Sequence, residues 1–237
     1  MIVAGILALG YGAAIYFWHD PVTDLYARVK QRQLASQLDE TFSAFALTAP
    51  TARSAGAPET AAPEGPARAE LEAAVRTAAT RMLAEAKPGA VLGRITVPAL
   101  GISPVFVNGT EWGRDLTRGP GRYPETSLPG LGQLTAIAGH RTTFGAWFRH
   151  VDELEAGDEI VLELPYGRFV YTVTGHEIVA KDDWSVISPH GFDELVLSAC
   201  HPLYSAEQRW IVYARLTEVK TPQGSYAVDR DAAQAAS

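Results

Sequence analysis

The 237-residue sequence has little sulfur and no concentration of positive charge. Its one cysteine, Cys200, cannot form a disulfide within the chain. Lysine and arginine total 20 against 27 acidic residues, and no run of basic residues occurs, so nucleic-acid binding has no support. A zinc site built from Cys200, His201 and His140 would lack a fourth ligand at recognisable spacing. We therefore expect neither a metal nor another cofactor.

Residues 2–18 form an apolar stretch without a charge, IVAGILALGYGAAIYFW. As a helix, these 17 residues would be about 25 Å long, the short end of what crosses a bilayer. The stretch ends in aromatic residues, as in an interfacial belt. The basic leader and small-residue cleavage site of a signal peptide are not evident. We expect residues 1–19 to be a transmembrane anchor.

The charges around this stretch conflict with export. No lysine or arginine precedes it, whereas Arg28, Lys30 and Arg32 follow it. The positive-inside rule alone would therefore place the rest of the chain in the cytoplasm. We expect instead that a basic leader lies upstream of Met1 and that the rest of the chain is extracellular.

The next part of the chain changes character twice. Residues 20–45 carry apolar side chains at helical spacing and predict a stalk helix. Residues 46–67 are mostly Ala, Pro, Thr, Gly and Glu, which is too poor in apolar side chains to fold and predicts a disordered linker. Residues 68–89 predict a second helix, ended by Lys87-Pro88-Gly89.

From residue 90 onward, short β-type runs are separated by Gly and Pro. Such closely spaced runs predict a mainly β fold, a small closed or nearly closed barrel of about seven to eight strands. We place the catalytic domain at 90–219 and expect a disordered tail at 220–237. The seven runs are VLGRITV, SPVFVNG, QLTAIAG, DEIVLEL, RFVYTVTGHEIVA, DELVLSAC and RWIVYARL.

The last two runs should bring Cys200 close to an arginine. An eight-residue loop joins DELVLSAC to RWIVYARL, so we expect the two strands to pair antiparallel. Cys200 ends the first strand and Arg209 begins the second, which sets them side by side. A guanidinium there can stabilise a thiolate or hydrogen-bond an oxyanion. The alternatives are an inert buried thiol and an ordinary arginine at a strand start.

A thiol nucleophile also needs an imidazole nearby, and the chain has six histidines. His201 follows Cys200 directly on the strand and therefore projects to the opposite face. His140 follows an apolar run and a glycine in AIAGHRTTFG, at a barrel rim where catalytic groups often lie. These patterns make His140 a candidate without deciding its role.

Two segments, AIAGHRTTFGAWFRHVDEL and LVLSACHPLYSAEQRWIVYARL, closely resemble the sortase family, and most of all its class E branch from high-GC Gram-positive bacteria. The similarity extends over residues 91–219 and includes GPGRYPETSLPG. It implies a β-barrel enzyme that cuts a sorting signal between Thr and Gly through an acyl-cysteine. By the same resemblance, Cys200 is the nucleophile, His140 the histidine and Arg209 the arginine.

The resemblance also implies partners. They are surface proteins with a C-terminal sorting signal of the LPxTG or LAxTG kind, and an amine on a lipid-linked peptidoglycan precursor at the cell membrane. Tyr123 looks like the tyrosine that class E sortases place near the substrate groove. Arg141 and Thr143, next to His140, are candidates either for orienting the histidine or for binding substrate in the groove, and Ser198 is a further candidate for substrate binding.

One departure from the family pattern keeps other functions open. The usual Thr-Leu-x-Thr-Cys reads Val196-Leu197-Ser198-Ala199-Cys200, so both threonines are absent. A non-catalytic, membrane-tethered binding module of the same fold is therefore one alternative. Another extracellular Cys/His peptidase or an L,D-transpeptidase is a second, although the latter's signature has arginine where this chain has Pro202.

Overall fold

A computed structural model describes residues 21–48 and 66–228, together with six positions between residues 3 and 12. Within these residues, no helix has both the length and the apolar character needed to span a bilayer. Most of the anchor predicted at 1–19 lies outside the described residues. The same holds for 49–65 of the predicted linker and for 229–237 of the predicted tail.

The described residues form two long helices followed by nine β-strands. The helices are α1 (Pro21–Thr48) and α2 (Pro66–Glu85), and the strands are β1 (Val91–Thr96), β2 (Val105–Asn108), β3 (Gly121–Arg122), β4 (Thr135–Gly139), β5 (Glu159–Leu164), β6 (Gly167–Ala180), β7 (Glu194–His201), β8 (Gln208–Thr221) and β9 (Gly224–Ala227).

Eight of these strands close into a barrel. They join in the order β6-β5-β1-β2-β3-β4-β7-β8, and β6 pairs again with β8. The ninth strand, β9, extends β8 as an antiparallel hairpin. The mainly β barrel of seven to eight strands is therefore confirmed. Each of the seven predicted runs contains a strand. The strand β3 was not predicted, because its two residues are too few to show an alternating pattern.

Alternation along β7 separates two faces of the barrel wall. Leu195, Leu197 and Ala199 point to the main core, where they pack among Phe106, Phe148, Phe169, Tyr171 and Val212. Val196 points outward and packs in a second cluster with Leu134, Ala136, Val186 and Ile211. Because side chains alternate, Ser198 and Cys200 belong to the same outer face as Val196.

The second helix, α2, contributes directly to the barrel core. Leu71, Val75, Ala79 and Met82 recur every three or four residues, so they lie on one side of the helix. All four are buried in the main core cluster. The segment expected only to lead into the domain is therefore part of its interior.

The first helix, α1, packs along the barrel wall at β1 and β2. Its Leu34 and Leu38 are buried against Val91, Val105 and Val107. The helix predicted as a stalk therefore belongs to the folded unit, which begins well before residue 90.

A glutamine side chain joins α1 to the start of β2. Gln31 accepts a hydrogen bond from the Val105 N–H at 2.7 Å. Its amide nitrogen donates to the carbonyls of Val105 and Arg118, each at 2.9 Å. One side chain thus bonds to the main chain of two residues of the barrel domain. These bonds fix the position of α1 on the barrel wall.

Residues 220–228, expected to belong to a disordered tail, instead complete β8 and form β9. A tight turn pairs Thr221 with Gly224, and Tyr226 is 6% exposed against the core. Sequence analysis did not predict this hairpin, because the end of the chain is mostly polar. Tyr226 is the one buried residue of β9.

We expect Leu34→Ala to lower the free energy of unfolding by about 2–5 kcal/mol, because it leaves a cavity between α1 and the barrel. Leu25→Ala is the matched control, since Leu25 lies on the same helix and is 65% exposed. It should change stability by less than about 0.5 kcal/mol. Denaturant titration of both variants is the measurement, and equal effects would contradict the packing of α1.

Candidate active site

The three groups singled out from the sequence fall in one row across β4, β7 and β8. Cys200 of β7 lies directly opposite Arg209 of β8, so the predicted antiparallel pairing is confirmed. On the other side, β4 runs parallel to β7 with Gly139 opposite Ala199. His140 follows Gly139 and therefore lies beside Cys200. Neighbouring strands are about 4.8 Å apart, so the cysteine lies between the histidine and the arginine.

A glycine before the histidine allows the chain to fold back over the end of β4. A Cβ atom at Gly139 would lie 2.5 Å from the Phe148 ring, so only glycine fits there. Phe148 is fully buried, and its N–H donates to the carbonyl of His140 at 3.0 Å. The loop that follows β4 therefore folds back, and Phe148 bonds to His140, the first residue of that loop.

The imidazole of His140 is half-buried beside an aromatic ring. The ring of Phe144 lies 5.6 Å away, tilted by 38°. The Nε2 atom of His140 is buried and has no hydrogen-bond partner in the described part of the chain. Burial lowers the pKa of His140, because the charged form loses hydration. The imidazole therefore releases its proton at a lower pH than an exposed histidine does.

The guanidinium of Arg209 is held through one of its nitrogens, Nη1. Its Nη1 donates to the carbonyl of Ala206, in the loop before β8, at 3.0 Å and to that of Gln208, the first residue of β8, at 2.9 Å. Within residues 21–48 and 66–228, Nε and Nη2 make no hydrogen bond. These two donors can meet an oxygen that carries developing negative charge next to Cys200, whose thiol is free and half-buried.

Arg141, considered for substrate binding, is instead buried and engaged within the protein. It is 3% exposed, and its Nε and Nη2 donate to the carbonyl of Arg149 at 3.1 and 3.0 Å. Its Nη1 donates to the carbonyl of Cys200 at 3.4 Å, and Asp152 forms an ion pair with it at 2.6 Å. This geometry suits a residue that holds the histidine loop against the cysteine strand rather than one that touches substrate.

Tyr123 and Ser198 meet on the outer face that also carries Cys200. The Tyr123 hydroxyl donates to Ser198 Oγ at 3.3 Å. Trp184, in the loop between β6 and β7, lies edge-on to Tyr123 at 6.3 Å and is 63% exposed. Strand alternation does not position a loop residue, so it could not connect Trp184 with this face.

Thr143 lies in the turn that follows His140. Its carbonyl accepts the N–H of Ala146 at 2.9 Å. This contact is part of the turn's own backbone, so the structure gives Thr143 a role in loop geometry and leaves substrate binding as a prediction.

A sequence model of the sortase domain matches residues 95–217, just over half of the chain. The chain is 35% identical over 131 residues to sortase D of Bacillus subtilis strain 168, a match that covers 54% of this chain and 64% of that protein. It is 30% identical over 148 residues to sortase E1 of Streptomyces coelicolor, covering 56% of this chain and 42% of that protein. The chain therefore spans less than two thirds of the length of these curated relatives.

Solved structures of sortases share the fold. The crystal structure of sortase E1 from Streptomyces coelicolor, which has a tripeptide in its active site, is 27% identical with a TM-score of 0.54 and covers 57% of this chain and 93% of that one. Sortase E from Streptomyces avermitilis is 30% identical with a TM-score of 0.51, over the same shares of the two chains.

We expect Arg141→Ala to lower the free energy of unfolding by about 3 kcal/mol, because it removes charge-assisted hydrogen bonds from a buried site. Arg168→Ala is the control, since the Arg168–Glu163 pair is about two-fifths exposed on both sides. It should cost less than about 1 kcal/mol. Urea titration distinguishes the two, and a small effect of Arg141→Ala would contradict the buried network.

Proposed function

The chain belongs to the sortase family of transpeptidases, and we propose that Cys200, His140 and Arg209 carry its chemistry. The observation that supports this assignment is the row across β4, β7 and β8, in which the cysteine has a histidine on one side and an arginine on the other. A thiol, an imidazole and a cationic donor in one row are the groups that acyl transfer from a peptide requires.

In the first half-reaction, His140 takes the proton of the Cys200 thiol, and the resulting thiolate attacks the carbonyl carbon of the peptide bond between Thr and Gly of the sorting signal. A C–S bond forms, and the carbonyl electron pair moves to the oxygen, where the free donors of Arg209 stabilise it. The tetrahedral intermediate then expels the glycine amine, which takes a proton from the His140 imidazolium. A thioester on Cys200 remains.

In the second half-reaction, an amine attacks the thioester carbonyl. His140, now neutral, accepts the proton of the incoming amine, and collapse of the intermediate breaks the C–S bond. The products are a new amide and the Cys200 thiolate. Burial lowers the pKa of His140, which favours the neutral imidazole that accepts this proton.

The substrate class we propose is a protein with an LPxTG- or LAxTG-like sorting signal. The outer face of β7 is the proposed groove, because Cys200 and Ser198 both lie on it and Tyr123 reaches over it. The exposed Trp184 ring next to Tyr123 adds an apolar wall against which small apolar side chains can pack.

The two departures from the family pattern fall at packing positions. Ala199 is 2% exposed and points to the main core, away from the face that carries Cys200. Val196 is fully buried in the outer cluster, four residues before the cysteine. An apolar side chain suits both surroundings, which supports the enzyme over a non-catalytic module of the same fold.

We further propose a chain anchored in the cell membrane, with the barrel outside and an amine of a lipid-linked peptidoglycan precursor as the acceptor. The uncharged residues 2–18 support the anchor. The first turns of α1 add to this support, because Val22, Leu25 and Val29 form a stripe that is 65%, 65% and 46% exposed. Such a stripe next to an anchor suits contact with the bilayer surface.

We expect Cys200→Ala to abolish cleavage of sorting-signal peptides while leaving the circular dichroism spectrum unchanged. Mass spectrometry of the unaltered protein after incubation with candidate peptides should detect an acyl adduct on Cys200, and its mass would identify the bond that is cut. Substantial cleavage by Cys200→Ala would refute the nucleophile assignment. An intact fold with neither adduct nor cleavage would favour the binding module.

We expect Arg209→Ala to lower kcat by about 10²–10³, with a much smaller effect on KM, because an oxyanion donor acts mainly in the transition state. Arg209→Lys keeps the charge but loses the planar fork, so it should restore only part of the rate. Arg215→Ala is the control on the same strand: Arg215 lies opposite Glu194, with its guanidinium 4.5 Å from the Phe192 ring.

Steady-state kinetics of these three variants on one peptide decide the role. Arg215→Ala should turn over nearly as fast as the unaltered enzyme. Equal losses for Arg209→Ala and Arg215→Ala, or a loss confined to KM, would be inconsistent with an oxyanion donor at Arg209.

A further inference from the structure

Phe144 connects the loop that carries His140 to the helix α1. Its ring lies 5.6 Å from the His140 ring. On its other sides it meets Tyr26 of α1 at 6.0 Å and Trp112 at 5.8 Å, both edge-on. The ring that covers the imidazole is therefore itself covered by α1 and by a second loop.

The backbone of this loop is strained. Phe144, Gly145 and Ala146 have φ angles of +50°, +83° and +44°, so three consecutive residues lie in the left-handed region. Only the middle one is a glycine, and the other two are disfavoured there by their Cβ atoms. Strain of this kind persists only where surrounding contacts hold it.

Part of that restraint comes from α1. The N–H of Phe144 donates to the hydroxyl of Thr23 at 3.0 Å, across 121 residues of sequence. Ala27, one turn further along α1, is fully buried, and a Cβ atom at Gly145 would lie 3.2 Å from its Cβ. The helix is fixed to the barrel through Gln31 and Leu34, so it offers a firm surface to the loop.

We propose that Thr23, Tyr26 and Phe144 are positioning residues for His140, so that the start of α1 forms part of the active site. The inference depends on the catalytic role proposed for His140. Thr23 holds the left-handed loop, and the loop presses Phe144 against one side of the imidazole. The His140 imidazole is thereby held beside Cys200, where a proton can pass to or from the reacting amine.

The surroundings of His140 make this contact measurable. The titratable groups near it are Cys200 and Arg209 by strand register, Arg141 along the chain, and Tyr26 behind Phe144. Burial, not a charged neighbour, lowers the pKa of His140. When the Phe144 ring moves away, water reaches the imidazole and its pKa rises toward the ordinary value.

The test compares two threonines of α1 in the full-length protein. Thr23→Val removes the hydroxyl that accepts from the loop. Thr41→Val is the matched control, because the Thr41 hydroxyl donates to a carbonyl of its own helix, that of Gln37 at 2.8 Å. We expect Thr23→Val to lower kcat by roughly tenfold or more, as a misplaced catalytic group does. KM should change by less than about twofold, since ground-state binding is untouched.

The second measurement needs no substrate. NMR titration of the His140 ring, assigned with His140→Gln, should give a higher pKa in Thr23→Val and Tyr26→Ala than in Thr41→Val. Because it reports a contact in folded protein, this readout separates positioning from a general loss of stability. It also stands if the unaltered chain proves to cleave no peptide, a result that would remove the transpeptidase proposal itself.

Two results would overturn the inference. One is a Thr23→Val variant that matches Thr41→Val in both kcat and the pKa of His140. The other is a slower Thr23→Val variant with an unchanged pKa of His140, because α1 would then act on a different part of the site.

Discussion

The strands β4 and β7 lie side by side in parallel register, from Thr135 opposite Leu195 to Gly139 opposite Ala199. Both strands are buried on their two faces, so a slip of one residue would turn core side chains outward and outer ones inward. The candidate site depends on this register. It brings the residue after β4 beside the end of β7, and the antiparallel pairing with β8 then adds Arg209 on the far side.

Contacts at the strand ends keep this row in place where the ladder stops. Phe148 closes the loop against Gly139 on the core side, and Arg141 joins the same loop to the carbonyl of Cys200. From the outside, α1 supports the loop through Thr23. The proposed catalytic groups are thus held by side chains to which no part in the chemistry is assigned, as a preorganised site requires.

Local patterns predicted much of this arrangement, and long-range contacts account for the rest. The short loop between β7 and β8 was enough to pair Cys200 with Arg209, because antiparallel neighbours need few connecting residues. No local signal pairs β4 with β7, since a parallel neighbour can lie anywhere along the chain. Helical spacing predicted α1 but not the surface that it covers. Arg141 was a candidate for the groove because the sequence does not show that the loop folds back and places Asp152 and the carbonyl of Arg149 against its guanidinium.

The contact between Thr23 and the histidine loop also limits how far the candidate site can lie from the proposed anchor. Thr23 follows Trp18, the last residue of the apolar stretch, by five residues. An extended chain covers at most about 3.6 Å per residue, so roughly 18 Å of backbone separates the end of that stretch from the loop. With the stretch in a bilayer, the reacting groups are confined to a thin layer above the lipid headgroups. The lipid-linked amine proposed as the acceptor would be confined to the same layer.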